Sequence, residues 1–152
     1  SNMFDTVGVL KVPYICMHIQ GTPATMQQQP FYADVVKEVL DFFINKIEAC
    51  KKAGITDIII DPGFGFGKTI EHNFKLLKAL SVLSITNRPV LAGLSRKSTI
   101  YKTLGSTAAR ALNGTTVLNT MALLNGAAIL RVHDVKEAKE AVLLFNAYKK
   151  AP

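Results

Sequence analysis

The run Ile58-Ile59-Ile60, followed by Asp61-Pro62-Gly63-Phe64-Gly65-Phe66-Gly67-Lys68-Thr69, constrains the fold more than any other stretch of this chain. Three β-branched apolar residues in succession suit a strand covered on both faces, as in a parallel sheet flanked by helices. Proline and glycines then end the strand, and helical spacing resumes over residues 71–83. A carboxylate at a strand end, a glycine-rich turn and a helix start mark the place where α/β proteins put ligand chemistry.

The same alternation runs through the chain. Met3, Phe4, Val7 and Leu10 recur at helical spacing over residues 3–11, and Val12 to Ile19 reads as a strand with Pro13 tolerated at its start. A loop rich in Gly, Thr, Pro and Gln covers residues 20–30. Val36, Leu40, Phe43, Ile47 and Cys50 then predict a helix over 31–53, stopped by Gly54, whose aromatics Phe31, Tyr32, Phe42 and Phe43 pack on the sheet. Pro89 to Leu94 is a strand, Lys97 to Leu104 a helix broken at Gly105, and 107–125 a helix ended by Gly126. Ala127 to Val132 is a strand and 134–150 an amphipathic helix, with Asp134 and Glu137 spaced like a capping box. Four strands with three helical crossovers imply parallel pairing. Four βα units are half of a (β/α)8 barrel, which takes roughly 250 residues. A flavodoxin-like open sheet is the alternative, and both place ligands at the carboxyl ends of strands.

Composition narrows the function classes. The 152 residues, 49% hydrophobic and 19% charged, suffice for one domain with a core, so residues 1–152 are read as a single unit. The 18 Lys and Arg against 11 Asp and Glu leave a formal charge of +7, which suits an anionic ligand. No basic run exceeds two residues and no aromatics interleave with basic residues, which argues against nucleic acid. No apolar stretch approaches the ~18 residues of a membrane helix, and no signal peptide is expected. Cys16 and Cys50, in a strand and a helix, read as buried thiols of a reducing cytoplasm; no zinc spacing is present. Ser1-Asn2 before Met3 reads as a tag-cleavage remnant.

The glycine segment fails the phosphate-loop pattern, because Gly63 to Gly67 leaves three residues where four are needed; it also fails the dinucleotide fingerprint. Its three glycines and two phenylalanines instead suggest close approach of backbone to a ligand and exposed aromatic surface. Arg131 and His133, two apart on a strand, share a face with Ile129. They would suit a phosphate group, the alternative being an ion pair from Arg131 to Asp61 or another acid. Lys97 stands beside Ser98 at a strand-to-helix junction, where helix amides favour anions. Met17 shares parity with Ile15 and Pro13 and would line the same interior. His18, of opposite parity, reads as structural, and His72, in a first helical turn, as solvent-exposed.

Four motifs carry a resemblance: Met17-His18-Ile19-Gln20-Gly21-Thr22-Pro23, Asp61 through Lys68, Gly93-Leu94-Ser95-Arg96-Lys97-Ser98, and Arg131-Val132-His133-Asp134. In this order and at these separations they strongly resemble the dihydropteroate synthase family of folate biosynthesis, the sulfonamide target. The likeness covers essentially the whole chain but only the carboxyl-terminal half of that family's barrel, strands five to eight. It implies condensation of 6-hydroxymethyl-7,8-dihydropterin diphosphate with p-aminobenzoate, releasing pyrophosphate. It also implies that Asp61 binds the guanidine-like edge of the pterin, while Met17 and Gly93 pack near it. Lys97 would hydrogen-bond the ring and border the aminobenzoate pocket, with Phe66 lining that pocket and Ser98 near the carboxylate. Arg131 and His133 would hold the diphosphate, and Lys97, Arg131 and His133 would form the catalytic set.

The chain departs from the family by lacking its amino-terminal half. That half is expected to hold an asparagine for Mg2+, further pterin-binding residues and two mobile loops, so no metal ligand is expected here. The chain alone is therefore expected to be inactive, because positional catalysis needs the whole site. Exposed sheet edges and helices imply a homo-oligomer. The alternatives are a pterin-binding methyltransferase type of half barrel and a non-catalytic interaction module.

Overall fold

A computed structural model describes residues 3–22 and 30–152. Ser1 and Asn2, Pro23 of the first motif and most of the 20–30 loop lie outside the described residues. Helix α1 (Met3–Leu10) leads into β1 (Tyr14–Met17), α2 (Val35–Lys52), β2 (Ile58–Asp61) and α3 (Ile70–Lys78). A 3-10 helix (Leu80–Thr86) precedes β3 (Leu91–Ala92) and α4 (Ser98–Thr103). A shorter 3-10 turn (Ala108–Arg110), α5 (Leu112–Leu124), β4 (Ile129–Leu130) and α6 (Val135–Lys150) complete the described chain.

Among the described residues the strand pairing is parallel, as the helical crossovers require. β1 pairs with β2 in the register Tyr14–Ile58 to Met17–Asp61, and β3 with β4 in the register Leu91–Ile129 and Ala92–Leu130. A single bridge between Ile60 and Val90 joins the two pairs, giving the order β1-β2-β3-β4.

The expected strands are longer than those observed. Pro89 has no N–H to donate, although its carbonyl still accepts from Ile60 at 3.0 Å. The first expected helix after the loop starts at Val35 rather than 31, because Asp34 caps it, its Oδ1 accepting from the N–H groups of Val36 and Lys37. The helix expected over 71–83 tightens to 3-10 geometry after Lys78, and that expected over 107–125 begins as a 3-10 turn. Asp134 precedes α6 but makes no capping hydrogen bond, because its carboxylate is taken by Arg96.

α2 shows how the core forms. Val35, Val39, Phe43, Ile47 and Cys50 recur at steps of three and four and are buried, while Val36 and Leu40 flank that stripe half-buried. They close over Cys16, Ile58 and Ile60, each on the helix-facing side of its strand. Phe43 is fully buried, so Phe43→Ala would cost about 3–5 kcal/mol. Tyr32 also joins the core, whereas Phe31 is 78% exposed and does not pack on the sheet as expected. Cys16 and Cys50 are both free and buried, and burial pushes the Cys16 thiol up to about 11.

The other face of the strands is open. Ile15 is 46% exposed, and Met17, Ile59 and Ile129 are half-buried, while Leu130 turns the other way and packs against the core. Period-two alternation puts Met17 with Ile15, and the register sets Met17 beside Asp61 on this open side.

Candidate functional site

Asp61 ends β2 with its side chain fully buried. Its Oδ1 accepts the Gly63 N–H at 2.8 Å, which closes the turn after the strand. Its Oδ2 lies 2.9 Å from Nη2 of Arg131, but off hydrogen-bond direction, so that oxygen has an ionic partner and no hydrogen-bond donor. A buried carboxylate oxygen without a donor is costly in a folded chain and marks a place where a ligand donor fits.

Arg131 follows β4 and keeps the ladder, its N–H donating to the Ala92 carbonyl at 3.0 Å. To reach Asp61 its side chain crosses Gly93. A Cβ at Gly93 would stand 2.8 Å from Nη2, so the missing side chain is what opens the crossing. Of the two expectations for Arg131, the ion pair with Asp61 is the one formed. The guanidinium is still 48% exposed and can meet an anion from solvent.

The glycine turn differs from expectation in what its glycines do. A Cβ at Gly63 would come within 1.9 Å of the His18 carbonyl oxygen, and one at Gly67 within 2.4 Å of the Gln20 carbonyl oxygen. Both have positive φ, 67° and 61°. These two glycines let the backbone leaving β1 lie against the turn, rather than a ligand. Phe64, expected to be exposed, is fully buried in the core. Phe66 is half-buried, and the Lys97 ammonium stands 4.5 Å from its ring centroid. The Lys97 Nζ also donates to the Phe64 carbonyl. Burial, offset by Asp61 and reinforced by Arg131, lowers the Lys97 pKa to about 8. Lys97 thus spans the turn after β2 and the loop after β3.

Ser98 is the half-buried first residue of α4, and Lys97 makes no side-chain cap. With six residues, α4 offers little of the helix dipole expected to favour an anion here. His133 is exposed, and its Nδ1 lies 3.0 Å from the Ser95 hydroxyl.

Lys68, Asn73 and Ser95 carry structure at the site that the sequence reading did not assign. Lys68 is 3% exposed, and its Nζ meets three acceptors: His18 Nδ1 at 2.9 Å and the Gly63 and Phe66 carbonyls at 3.2 Å each. These match the three donors of an ammonium. Burial still lowers its pKa to about 7, with Asp61 pulling up and Lys97 pushing down. His18 is lowered to about 4 by burial and by Lys68, and its role is structural, as expected. Asn73 accepts from the Gly65 N–H at 2.8 Å and donates to the Thr69 carbonyl at 2.7 Å. His72, expected in solvent, is half-buried against Tyr32 and completes a capping box with Thr69. The glycine spacing hinted at a tight turn, but no local pattern marked Lys68 as buried.

Among the described residues, no group of three or more His, Cys, Asp or Glu side chains comes together. Asp61 is already engaged by Gly63 and Arg131. The described residues therefore gather no ligand set for a resident Mg2+.

Met17, Asp61, Gly93, Arg131 and Lys97 with Phe66 therefore gather at the carboxyl ends of neighbouring strands; Ser98 and His133 stand on the segments that follow. The arrangement offers a carboxylate, two cations and an aromatic ring on one open face. The chain is 44% identical to the dihydropteroate synthase of Escherichia coli (strain K12) over 138 residues, 90% of this chain and 49% of that protein. It is 40% identical to that of Haemophilus influenzae, over 96% of this chain and 54% of that protein. The chain thus spans about half the length of the curated relatives it matches. The structure of the Yersinia pestis dihydropteroate synthase with a sulfonamide drug superposes with a TM-score of 0.95 at 39% identity, over 97% of this chain and 55% of that one. The Xanthomonas albilineans enzyme in complex with 7,8-dihydropteroate gives 0.89 at 39% identity, over 98% and 55%. The family model described as pterin binding enzyme matches residues 1–133, and with the strand-end geometry this shows that the chain belongs to the pterin binding enzyme family.

Proposed function

We propose that this chain forms strands five to eight of a dihydropteroate synthase barrel and carries one side of its substrate site. The observation that carries the reading is the buried Asp61 oxygen left without a donor beside Arg131 and Lys97. A pterin presents adjacent N–H groups that such a carboxylate accepts in pairs, and its diphosphate suits the exposed Arg131 guanidinium. Met17 and Gly93 border the pterin. Lys97, over Phe66, faces both the ring and the aminobenzoate, whose carboxylate lies toward Ser98.

In the proposed reaction the bond between the pterin methylene carbon and the diphosphate oxygen breaks, and pyrophosphate leaves with the electron pair. The aminobenzoate nitrogen then bonds to the methylene carbon and loses a proton. Arg131 and His133 meet the charge that grows on the leaving oxygens, and fixed donors there lower the barrier. No protein nucleophile is needed. Mg2+ would neutralise diphosphate charge, held by residues outside this chain.

The open strand face makes the chain alone inactive in this reading, since half the site's walls come from elsewhere. We read the protein as cytoplasmic and oligomeric. A groove of about 470 Å3 between α5 and α6, lined by Leu124, Ala141, Leu144, Phe145 and Tyr148 among others, offers the helical face for a second copy. Calorimetric titration with 6-hydroxymethyl-7,8-dihydropterin diphosphate tests the reading. It expects binding that Asp61→Ala abolishes, and no dihydropteroate formed when p-aminobenzoate is added. Binding unaffected by Asp61→Ala would overturn it.

A further inference from the structure

Ser95 occupies the loop between β3 and α4, 4% exposed, at the centre of a contact that the proposed reaction does not use. Its hydroxyl oxygen accepts the backbone N–H of His133 at 3.2 Å and lies 3.0 Å from Nδ1 of the same residue. A serine oxygen has one proton to give. Since the backbone N–H can only donate, that proton is directed at Nδ1. A neutral imidazole whose Nδ1 accepts must carry its own proton on Nε2. In the opposite tautomer that oxygen would accept twice, which its two lone pairs allow, but the buried hydroxyl proton would be left with no acceptor among the described hydrogen bonds. A buried donor without an acceptor costs more than a hydrogen bond gains.

We infer that Ser95 is a positioning residue that holds the His133 imidazole with its proton on Nε2, presenting a neutral N–H donor to an oxyanion at the open strand ends. The inference deepens the proposed diphosphate role of His133 and rests on it for the identity of the anion. The tautomer itself stands on the Ser95 contact alone. A neutral donor suits this place. Arg131 precedes His133 by two residues on the same segment and Lys97 follows Ser95 by two, so cations are already at hand. The Nε2 edge is turned away from Ser95, and the side chain is exposed. The neighbouring residues brace the same contact. Arg96 binds both oxygens of Asp134 (Nε at 2.9 Å, Nη2 at 2.7 Å) and the carbonyls of Ala108 and Ala109 (2.9 and 2.8 Å). Ser95 and Arg96 thus tie the loop after β3 to His133 and Asp134 at consecutive positions.

Long-range 1H–15N correlation spectra of the whole chain, recorded above the imidazole titration, read the tautomer directly. The expected pattern is a protonated Nε2 and an unprotonated Nδ1 for His133, relaxing toward a mixture in Ser95→Ala and retained in Ser95→Cys. A proton on Nδ1, or an even mixture in the unsubstituted chain, would overturn the inference without needing any variant to fold. Titration with inorganic pyrophosphate reads the consequence: Ser95→Ala should weaken binding about threefold to tenfold, and should have no further effect in a chain already carrying His133→Ala. An equal loss from Ser95→Ala with and without His133 would contradict the positioning role. If pyrophosphate fails to bind while the spectra show the Nε2–H form, the diphosphate reading of His133 falls and the tautomer assignment stands.

Discussion

The β1–β2 end and the β3–β4 end of this site are held by different means. At the first, backbone lies on backbone: the turn after β2 presses Gly63 and Gly67 against the His18 and Gln20 carbonyls, and buried Lys68 ties three acceptors there. At the second, side chains do the holding, with Ser95 on His133, Arg96 on Asp134 and Arg131 reaching over Gly93 to Asp61. The first arrangement tolerates no added atoms. The second can lose side chains and keep its backbone. The carboxylate proposed to read a pterin therefore sits on the rigid end, and the groups proposed to hold the departing diphosphate sit on the adjustable one.

The largest test of this contrast is Gly63→Ala. A Cβ there meets backbone and a positive φ together, so the chain should lose roughly 3 kcal/mol in chemical denaturation. A loss under about 1 kcal/mol would show that the turn can yield.

Next comes pH. Lys68 binds its proton less tightly folded, at about 7, than unfolded, near 10.5. Between those values the unfolded chain holds more protons, so stability rises with pH by up to about 1.4 kcal/mol per unit. Lys97, lowered to about 8, adds the same sign further up the range. Below about pH 7 both states are protonated and the burial penalty is fully present. Denaturation midpoints across this range should climb for the unsubstituted chain, and Lys68→Met should flatten the climb below about pH 8. An unchanged slope in Lys68→Met would remove Lys68 from the account.

A smaller effect is expected from Arg96→Ala. Its contacts reach Asp134 and the 3-10 turn at 108–110, so hydrogen exchange should quicken there and in the loop before α4, while β1 and β2 keep their protection. Exchange that quickens equally in all four strands would erase the distinction between the two ends.

Gly93→Ala should disturb stability least, within about 1 kcal/mol, because the added methyl meets the movable end of Arg131 rather than backbone. It should still separate Arg131 from Asp61 and alter ligand binding. A drop as large as that of Gly63→Ala would make the two ends alike.

Much of this was legible in the sequence. Ile58 to Ile60 announced a covered parallel strand, and the helical spacings placed α1, α4 and α6 within a residue or two. The polar residues at strand ends also pointed to one open face. What escaped reading depended on partners distant in sequence. Gly63 looks the same whether a ligand or the His18 carbonyl lies against it, and only the folded register decides. Phe64 and Phe66 alternate identically along the chain, yet one is buried and the other borders Lys97. Asp134 and Glu137 had capping-box spacing, but Arg96, 38 residues earlier, took the carboxylate. The Arg131–Asp61 pair is one of two options in the sequence, and the glycine just after β3 lets the Arg131 side chain cross to form it.

The central claim is that Asp61 reads a pterin while Arg131 and His133 hold a diphosphate. The most direct test splits the ligand. 6-Hydroxymethyl-7,8-dihydropterin without its diphosphate and inorganic pyrophosphate would each be titrated into the chain and its Asp61→Ala and His133→Ala variants. The account predicts that Asp61→Ala removes pterin binding and spares or strengthens pyrophosphate binding, by releasing Arg131, while His133→Ala does the reverse. Loss of both ligands in both folded variants, or pterin binding that survives Asp61→Ala, would contradict it.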